Sequence, residues 1–321
     1  MKSKMKETRI EIPTQTINFE QYDPRNLVNW GEYIEVGDEM KLLEMNIKEA
    51  SIPYIIEGDK GTGKTLMVHT ICRKNGYALL EYSCSNGTNK GDLIGRVQIN
   101  ENGSFFELGI LPLAYEIANH FGFCVLYLDE LNATEHEVMK LMNRPTDKRR
   151  SVFANGKLYK LNEGCKLAIV GTMNPLTYAG VNSLTEDLRS RFIGDIITYP
   201  TSKQLQTIIS WEGIPEESVK NPLLQLAQET NALRVKGDID YVLSPRDIDQ
   251  FCEHYRILSK SKKFEEPQVL KYALKQVVLV KYAELEEREL VKSRIVDIFG
   301  DRKSTRLNSS HIPLSRMPSS A

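Results

Sequence analysis

The chain has 321 residues, of which 41% are hydrophobic and 26% charged, and its formal net charge is −1. That length allows one large domain or two moderate ones with ample core, and the composition is ordinary for a soluble globular protein. The near-neutral charge gives no electrostatic case for a nucleic-acid or anionic-membrane partner, and no apolar run approaches the roughly 20 residues of a membrane span.

Residues 1–36 are polar and aperiodic, with Pro13 and Pro24, and read as a partly extended N-terminal arm packed on the main domain. The opening Met1-Lys2-Ser3-Lys4-Met5-Lys6 leads into no apolar segment, so no signal peptide is evident. Met40, Leu43, Met45 and Ile47 recur at near-helical spacing and predict a helix over 37–50. From 52 to 200, apolar strands (54–57, 78–83, 123–128, 166–171 and 195–199) alternate with helices. This argues an α/β domain over 37–200, with a parallel sheet and helices on both faces. Two hairpins interrupt the alternation, around Asn102-Gly103 and Asn155-Gly156, since Asn-Gly supplies the positive φ angles of a tight turn.

After Pro200 the pattern becomes purely helical (203–211, 217–233, 245–259 and 267–297), which predicts a small all-helical lid domain over 201–300. Ser244-Pro245-Arg246-Asp247 opens one of these helices with a Ser cap, Pro at N1 and an acid at N3. Residues 301–321 are polar, Ser-rich and without a core pattern. Asp301-Arg302-Lys303-Ser304 is what the adaptor-like GAT-CGG-AAG-AGC encodes, so the tail reads as adaptor read-through, with a disordered tail as the alternative. The cysteines Cys72, Cys84, Cys124, Cys165 and Cys252 have no metal-ligand spacing, and most lie in apolar stretches. Buried reduced thiols and a cytoplasmic location follow as expectations.

The chemistry concentrates in Gly58-Asp59-Lys60-Gly61-Thr62-Gly63-Lys64-Thr65, which fits G-x-x-x-x-G-K-[ST] between the apolar Tyr54-Ile55-Ile56 and a helical run from Leu66. Strand, loop and helix are the context a phosphate-binding loop requires. The glycines let successive N–H groups converge on one anion, and the helix dipole adds roughly half a positive charge. Lys64 is placed to reach the outer phosphates, and the Thr65 hydroxyl to ligate Mg²⁺. Gly58, Asp59, Lys60, Gly61, Thr62, Gly63, Lys64, Thr65 and Leu66 are the candidate nucleotide contacts.

Val125-Leu126-Tyr127-Leu128 ends in Asp129 and Glu130, an expensive place for two carboxylates unless a cation sits there. Asp129 would hold Mg²⁺ through water, and Glu130 would orient and deprotonate the attacking water. A second buried strand ends at Asn174, placed to bond that water or the γ-phosphate, although Asn-Pro also starts turns. Arg189 and Arg191 precede the last strand. Two residues apart, they do not share a helix face, and Arg191 is the preferred γ-phosphate finger with Arg189 as the alternative. Arg246 either reports nucleotide to the helical domain or is a solvated surface arginine.

Taken in this order, these motifs resemble an AAA+ ATPase, as its Walker A, Walker B, sensor 1, arginine finger and sensor 2. Gly91-Asp92-Leu93-Ile94-Gly95-Arg96, the hairpin after it and Gly109-Ile110-Leu111-Pro112-Leu113-Ala114 resemble the helix-2 insert of the MoxR group. Lys148-Arg149-Arg150 with its hairpin, followed by Arg191-Phe192, resembles that group's pre-sensor-1 hairpin and finger region. The chain further resembles the CbbQ/NirQ/NorQ branch and the related cobaltochelatase small subunit, over roughly residues 35–260. Asp59-Lys60 replaces a common Pro-Gly, and Leu131-Asn132-Ala133 follows the acids; neither removes a ligand.

The resemblance implies ATP and Mg²⁺, a homo-oligomeric ring, commonly a hexamer, and an arginine acting from the neighbouring subunit. It also implies hairpins that move on a client protein, and a separate von Willebrand factor A-type partner. The alternatives are a nucleic-acid motor or restriction-type NTPase, favoured only by Lys148-Arg149-Arg150, and a non-hydrolysing switch, which Glu130 disfavours.

Overall fold

The computed structural model describes residues 12–35, 37–101, 103–176 and 180–300. The adaptor-like tail and Asn102 of the first predicted turn lie outside the described residues. The chain forms two compact units, dividing between Thr198 and Tyr199.

In the first unit, α1 (Glu39–Glu49) leads into β1 (Tyr54–Gly58), α2 (Lys64–Asn75) and β2 (Ala78–Ser83). Next come α3 (Lys90–Ile94), β3 (Gly95–Asn100), β4 (Gly103–Leu108), α4 (Ile110–Phe121) and β5 (Phe123–Asp129). Strands β6 (Ser151–Ala154), β7 (Lys157–Lys160), β8 (Lys166–Met173) and β9 (Ile193–Ile197) complete the unit. Five strands form one parallel sheet in the order β2-β5-β8-β1-β9. The pairs β3–β4 and β6–β7 are separate antiparallel hairpins outside that sheet. Asn155 at φ 46° and Gly156 at φ 72° give the second hairpin the turn its sequence asks for.

Alternation along each strand divides the core between the two sheet faces. Leu126 and Leu128 of β5 join Leu111, Ala114 and Tyr115 of α4 on one side. Val125 and Tyr127 join Leu43 and Ile47 of α1 and Met67, Val68 and Ile71 of α2 on the other. Burial on both faces explains why the central strands read as continuous apolar runs. Leu43 is 0% exposed, and full burial of such a side chain stabilises by about 1.5–3 kcal/mol.

Residues 12–35 of the arm lie on this unit, and the rest of it is outside the described residues. Pro13 and Gln15 bond the backbone of Phe106 on β4, at 2.7 and 2.9 Å. The Asn155 amide, in the second hairpin's turn, donates to Ile12 O at 3.0 Å. Phe19 stacks on His120 of α4 and Trp30 on His69 of α2. The Tyr33 amide donates to Thr70 Oγ1.

Four expectations need correction. Met45 is 66% exposed, because the buried stripe of α1 runs through Met40, Leu43 and Ile47, on the opposite side of the helix. The last strand starts at Ile193 rather than 195 and ends at Ile197, where its partner β1 gives way to the glycine loop. The predicted 217–233 helix opens as a π-helical turn, Glu216–Lys220, continues as an α-helix from Asn221 with Pro222 in its first turn, and runs on past 233 to Lys236. The single helix predicted over 267–297 is broken. Tyr282 is extended (φ −94°, ψ 109°) and fully buried, and its carbonyl accepts from Arg288 Nη2 at 2.7 Å, before a new helix spans Leu285–Gly300. Both halves face one core, so apolar spacing carries no mark of the break.

The second unit has no strand among its described residues and buries its own core, including Leu226, Phe251, Tyr282 and Val291. Its helix Pro245–Lys260 opens with the expected Ser244 cap, as a capping box with Asp247. Among the described residues no helix is long and apolar enough to cross a membrane. Cys72, Cys84, Cys124 and Cys252 are free and buried, while Cys165 is half-buried. Burial pushes the thiols of Cys84 and Cys252 up to about 11, which makes them inert at neutral pH.

Candidate functional site

Strand order assembles the site. Because β8 runs between β5 and β1, with Leu128 opposite Gly171 and Ile56 opposite Thr172, the ends of three strands finish side by side. Asp129 and Glu130 leave β5, Asn174 leaves β8, and the glycine loop leaves β1. Ligands of open parallel sheets bind outside such carboxyl ends.

The loop owes its shape to glycine at two positions. Gly63 caps α2 at φ 88°, and a Cβ there would meet the Tyr33 ring at 3.0 Å. At Gly58 a Cβ would meet Ile197 O at 2.6 Å. Lys64 is 8% exposed and folds back along the loop, donating to Gly58 O at 2.7 Å and Asp59 O at 2.9 Å. Thr62 Oγ1 also donates to Asp59 O. Leu66 continues into α2, its carbonyl accepting from Thr70 Oγ1. Asp59 is half-buried, while Lys60 is exposed and brings its ammonium to 3.7 Å from Glu130 Oε1.

A continuous chain of polar side chains links the strand ends. Thr65 Oγ1 lies 3.1 Å from Tyr127 Oη, which donates to Asp129 Oδ1 at 3.0 Å. Thr172 Oγ1 donates to the same Oδ1 at 2.5 Å and accepts from the Glu130 amide at 3.0 Å. Asn174 Nδ2 donates to Glu130 Oε1 at 3.0 Å. Burial and the neighbouring Asp129 push the Tyr127 phenol far above its ordinary value, so it stays protonated.

Glu130 has φ 52°, in the left-handed region. Its amide is held by Thr172 and its carbonyl accepts from Ala133 N at 2.8 Å. Backbone strain of this kind, on the order of 1 kcal/mol or more, persists where surrounding structure enforces it and gathers at functional sites. Asn132, 1% exposed, clasps the backbone of Asn174. Its Nδ2 donates to Asn174 O at 2.8 Å and its Oδ1 accepts from Asn174 N at 3.2 Å.

Sequence reasoning passed over Tyr127, Thr172 and Asn132. The period of two along a strand was the available signal: Tyr127 stands two residues before Asp129, and Thr172 two before Asn174, each on the same face as its successor.

The other predicted residues fall as follows. Arg191 is engaged within its own unit, with Nη2 at 2.8 Å from Asp187 Oδ1 and Nη1 at 3.8 Å from Asp147 Oδ2. Arg189 is exposed and lines a cleft of about 360 Å³ together with Asn174, Asn132, Glu57 and Asp195. The loop residues 58–65 do not line that cleft. Arg246 is exposed on the first turn of its helix in the second unit.

Lys148-Arg149-Arg150 is not the open basic cluster its sequence suggests. Arg150 turns inward and donates to Ala50 O and Leu167 O. Arg149 pairs with Asp147 and holds that carboxyl below its ordinary range.

The donor set suits a magnesium nucleotide. Thr65 and Asp129 offer a hydroxyl and a carboxylate, hard oxygen donors of the kind Mg²⁺ takes. No group of three or more His, Cys, Asp or Glu that could hold a metal occurs among the described residues, as expected where substrate phosphates supply much of the coordination.

This fold and site define a P-loop ATPase of the AAA+ class. Residues 53–192 match the profile of the AAA domain of the dynein-related subfamily. Over 214 residues, 67% of the chain, it is 26% identical to the denitrification regulatory protein NirQ of Pseudomonas aeruginosa, covering 80% of that protein. It is 25% identical to the protein CbbQ of Hydrogenophilus thermoluteolus, over 67% of the chain and 78% of that protein. Midasin of Giardia intestinalis is 30% identical over 49% of the chain, a match spanning only 3% of midasin's length. Residues 53–192 thus carry an AAA domain, and the chain is similar to the MoxR-type AAA+ ATPases NirQ, CbbQ and NorQ.

Proposed function

We propose that the chain hydrolyses the β–γ phosphoanhydride of Mg²⁺-bound ATP, as part of a homo-oligomeric ring, and uses the cycle to remodel or activate a client protein. The observation that carries the hydrolytic reading is the run of hydrogen bonds from Thr65 through Tyr127, Asp129, Thr172 and Glu130 to Asn174. It puts a candidate base, its orienting amide and the candidate metal ligands in one network beside the phosphate loop.

Loop amides and Lys64 bind the phosphates, with Lys64 exchanging its bonds to the Gly58 and Asp59 carbonyls for phosphate oxygens. Thr65 and Asp129 would hold Mg²⁺, which supplies charge neutralisation for the phosphates when bound. Glu130 orients the attacking water and takes its proton, and Asn174 holds Glu130 and that water in line. Arg191, with Arg189 beside it, supplies the finger to a neighbouring subunit's γ-phosphate. Such a finger is worth on the order of 10³–10⁵ in rate. Arg246 carries nucleotide state to the helical unit.

The hairpins are the client-facing elements, and a separate von Willebrand factor A-type protein is the proposed partner. Exposed apolar side chains support that reading: Val97 and Ile99 on the first hairpin, Phe153 and Leu158 on the second. A nucleic-acid partner has less support, since Arg149 and Arg150 are already engaged within the fold. Stimulation of hydrolysis by DNA, falling with salt, would revive it.

The test is Glu130→Gln in the full chain. The expected outcome is retained ATP binding, an assembled ring by sedimentation, and turnover reduced by about 10²–10⁴, the range for a general base. Unchanged turnover removes Glu130 from the mechanism. Mixing Arg191→Ala with Lys64→Ala subunits should restore part of the activity. Normal hydrolysis by Arg191→Ala alone transfers the role to Arg189.

A further inference from the structure

The Tyr127 hydroxyl sits where packing alone would place none. Its ring is fully buried in the apolar layer between the sheet and α1 and α2, beside Met67, Val68 and Val125. A phenylalanine would fill that volume without the cost of desolvating a hydroxyl. The phenol oxygen, however, is within hydrogen-bond reach of two residues from different elements: Thr65 on the first turn of α2, at 3.1 Å, and Asp129 at the end of β5, at 3.0 Å. Alternation along β5 makes this possible, because Tyr127 and Asp129 stand on the same face as α2.

Proton counting fixes the direction of each bond. A phenol has one proton, and an ionised carboxylate can only accept, so Tyr127 donates to Asp129. The Thr65 proton must therefore point to Tyr127, which leaves both lone pairs of the Thr65 hydroxyl available to a cation. On Asp129, Oδ1 already accepts from Tyr127 and from Thr172 Oγ1. Oδ2 takes no hydrogen bond from a described residue.

We propose that Tyr127 is a positioning residue for magnesium. Its hydroxyl ties the Thr65 proton and one oxygen of Asp129 together, so that both residues present lone pairs to the ion before it arrives. This rests on the magnesium–nucleotide reading of the same site. Without the hydroxyl, Thr65 becomes a free rotor and Asp129 loses one of two restraints, and ordering them must accompany every binding event.

The experiment titrates the full chain with the fluorescent, non-hydrolysable nucleotide mant-AMPPNP, first in EDTA and then with increasing Mg²⁺. Tyr127→Phe should bind the nucleotide in EDTA as tightly as the unaltered protein. It should need about tenfold more Mg²⁺ for half-maximal tightening, the effect of about one hydrogen bond. An unchanged half-saturating Mg²⁺ concentration overturns the role of Tyr127 while leaving the magnesium reading in place. Indifference of the unaltered protein to Mg²⁺ overturns both.

If Tyr127→Phe also lowers the melting temperature, a Val125→Ala variant, which loosens the same apolar layer and keeps the phenol, separates positioning from packing. It should leave the half-saturating Mg²⁺ concentration within about twofold of that of the unaltered protein, because the hydroxyl and its two partners remain. A shift in Val125→Ala as large as that in Tyr127→Phe would mean that packing sets the Mg²⁺ requirement, and overturns the proposal.

Discussion

The ends of β1, β5 and β8 and the two hairpins are opposite kinds of surface. At the strand ends the polar side chains are sunk and matched: Asn132, Thr172 and Asn174 are nearly or wholly buried, and each finds a partner. On the hairpins apolar side chains stand in solvent, Ile99 at 80% and Phe153 at 59% exposure. Burying a polar group demands an internal partner, whereas an exposed apolar group is satisfied by contact with another molecule. The strand ends therefore satisfy these polar groups within one chain, whereas the hairpins leave apolar surface uncovered.

Substitutions sharpen this contrast. The largest effect is expected from Lys64→Ala, with nucleotide affinity falling at least about 100-fold in a mant-nucleotide titration, since a charge-assisted phosphate contact is lost. Asn132→Ala should reduce kcat about tenfold with KM within about twofold, because Asn132 holds Asn174 rather than substrate. A change confined to KM would show that the clasp serves binding. Arg150→Ala strands the carbonyls of Ala50 and Leu167. It should destabilise by about 1–3 kcal/mol, lowering Tm by several degrees, without altering kcat. Ile99→Ser together with Phe153→Ser should do least, leaving basal turnover within about twofold and Tm nearly unchanged, as for most surface changes. A loss of basal hydrolysis in that variant would erase the distinction between the two regions.

Much of the strand-end site was legible in the sequence because its chemistry is local. The glycine loop, Asp129-Glu130 and Asn174 each announce themselves within a few residues, and so do both Asn-Gly hairpins. The network between them was not legible, since Thr65, Tyr127 and Thr172 meet only once β8 is inserted between β5 and β1. Charge clusters misled for a related reason. Lys148-Arg149-Arg150 looks exposed until Arg150, at φ 41°, folds under the hairpin. In the helical unit the break at Tyr282 escaped notice because it interrupts the backbone without interrupting the apolar face.

The arm gives these two regions a mechanical relation. One continuous stretch touches the second hairpin at Ile12 and the first at Pro13 and Gln15, and then runs back to lay Tyr33 over Gly63 of the phosphate loop. Between those ends it is anchored by Phe19 on His120 and Trp30 on His69. The two hairpins therefore share one fastening, and neither lifts from the unit without breaking hydrogen bonds to the same short stretch of the arm.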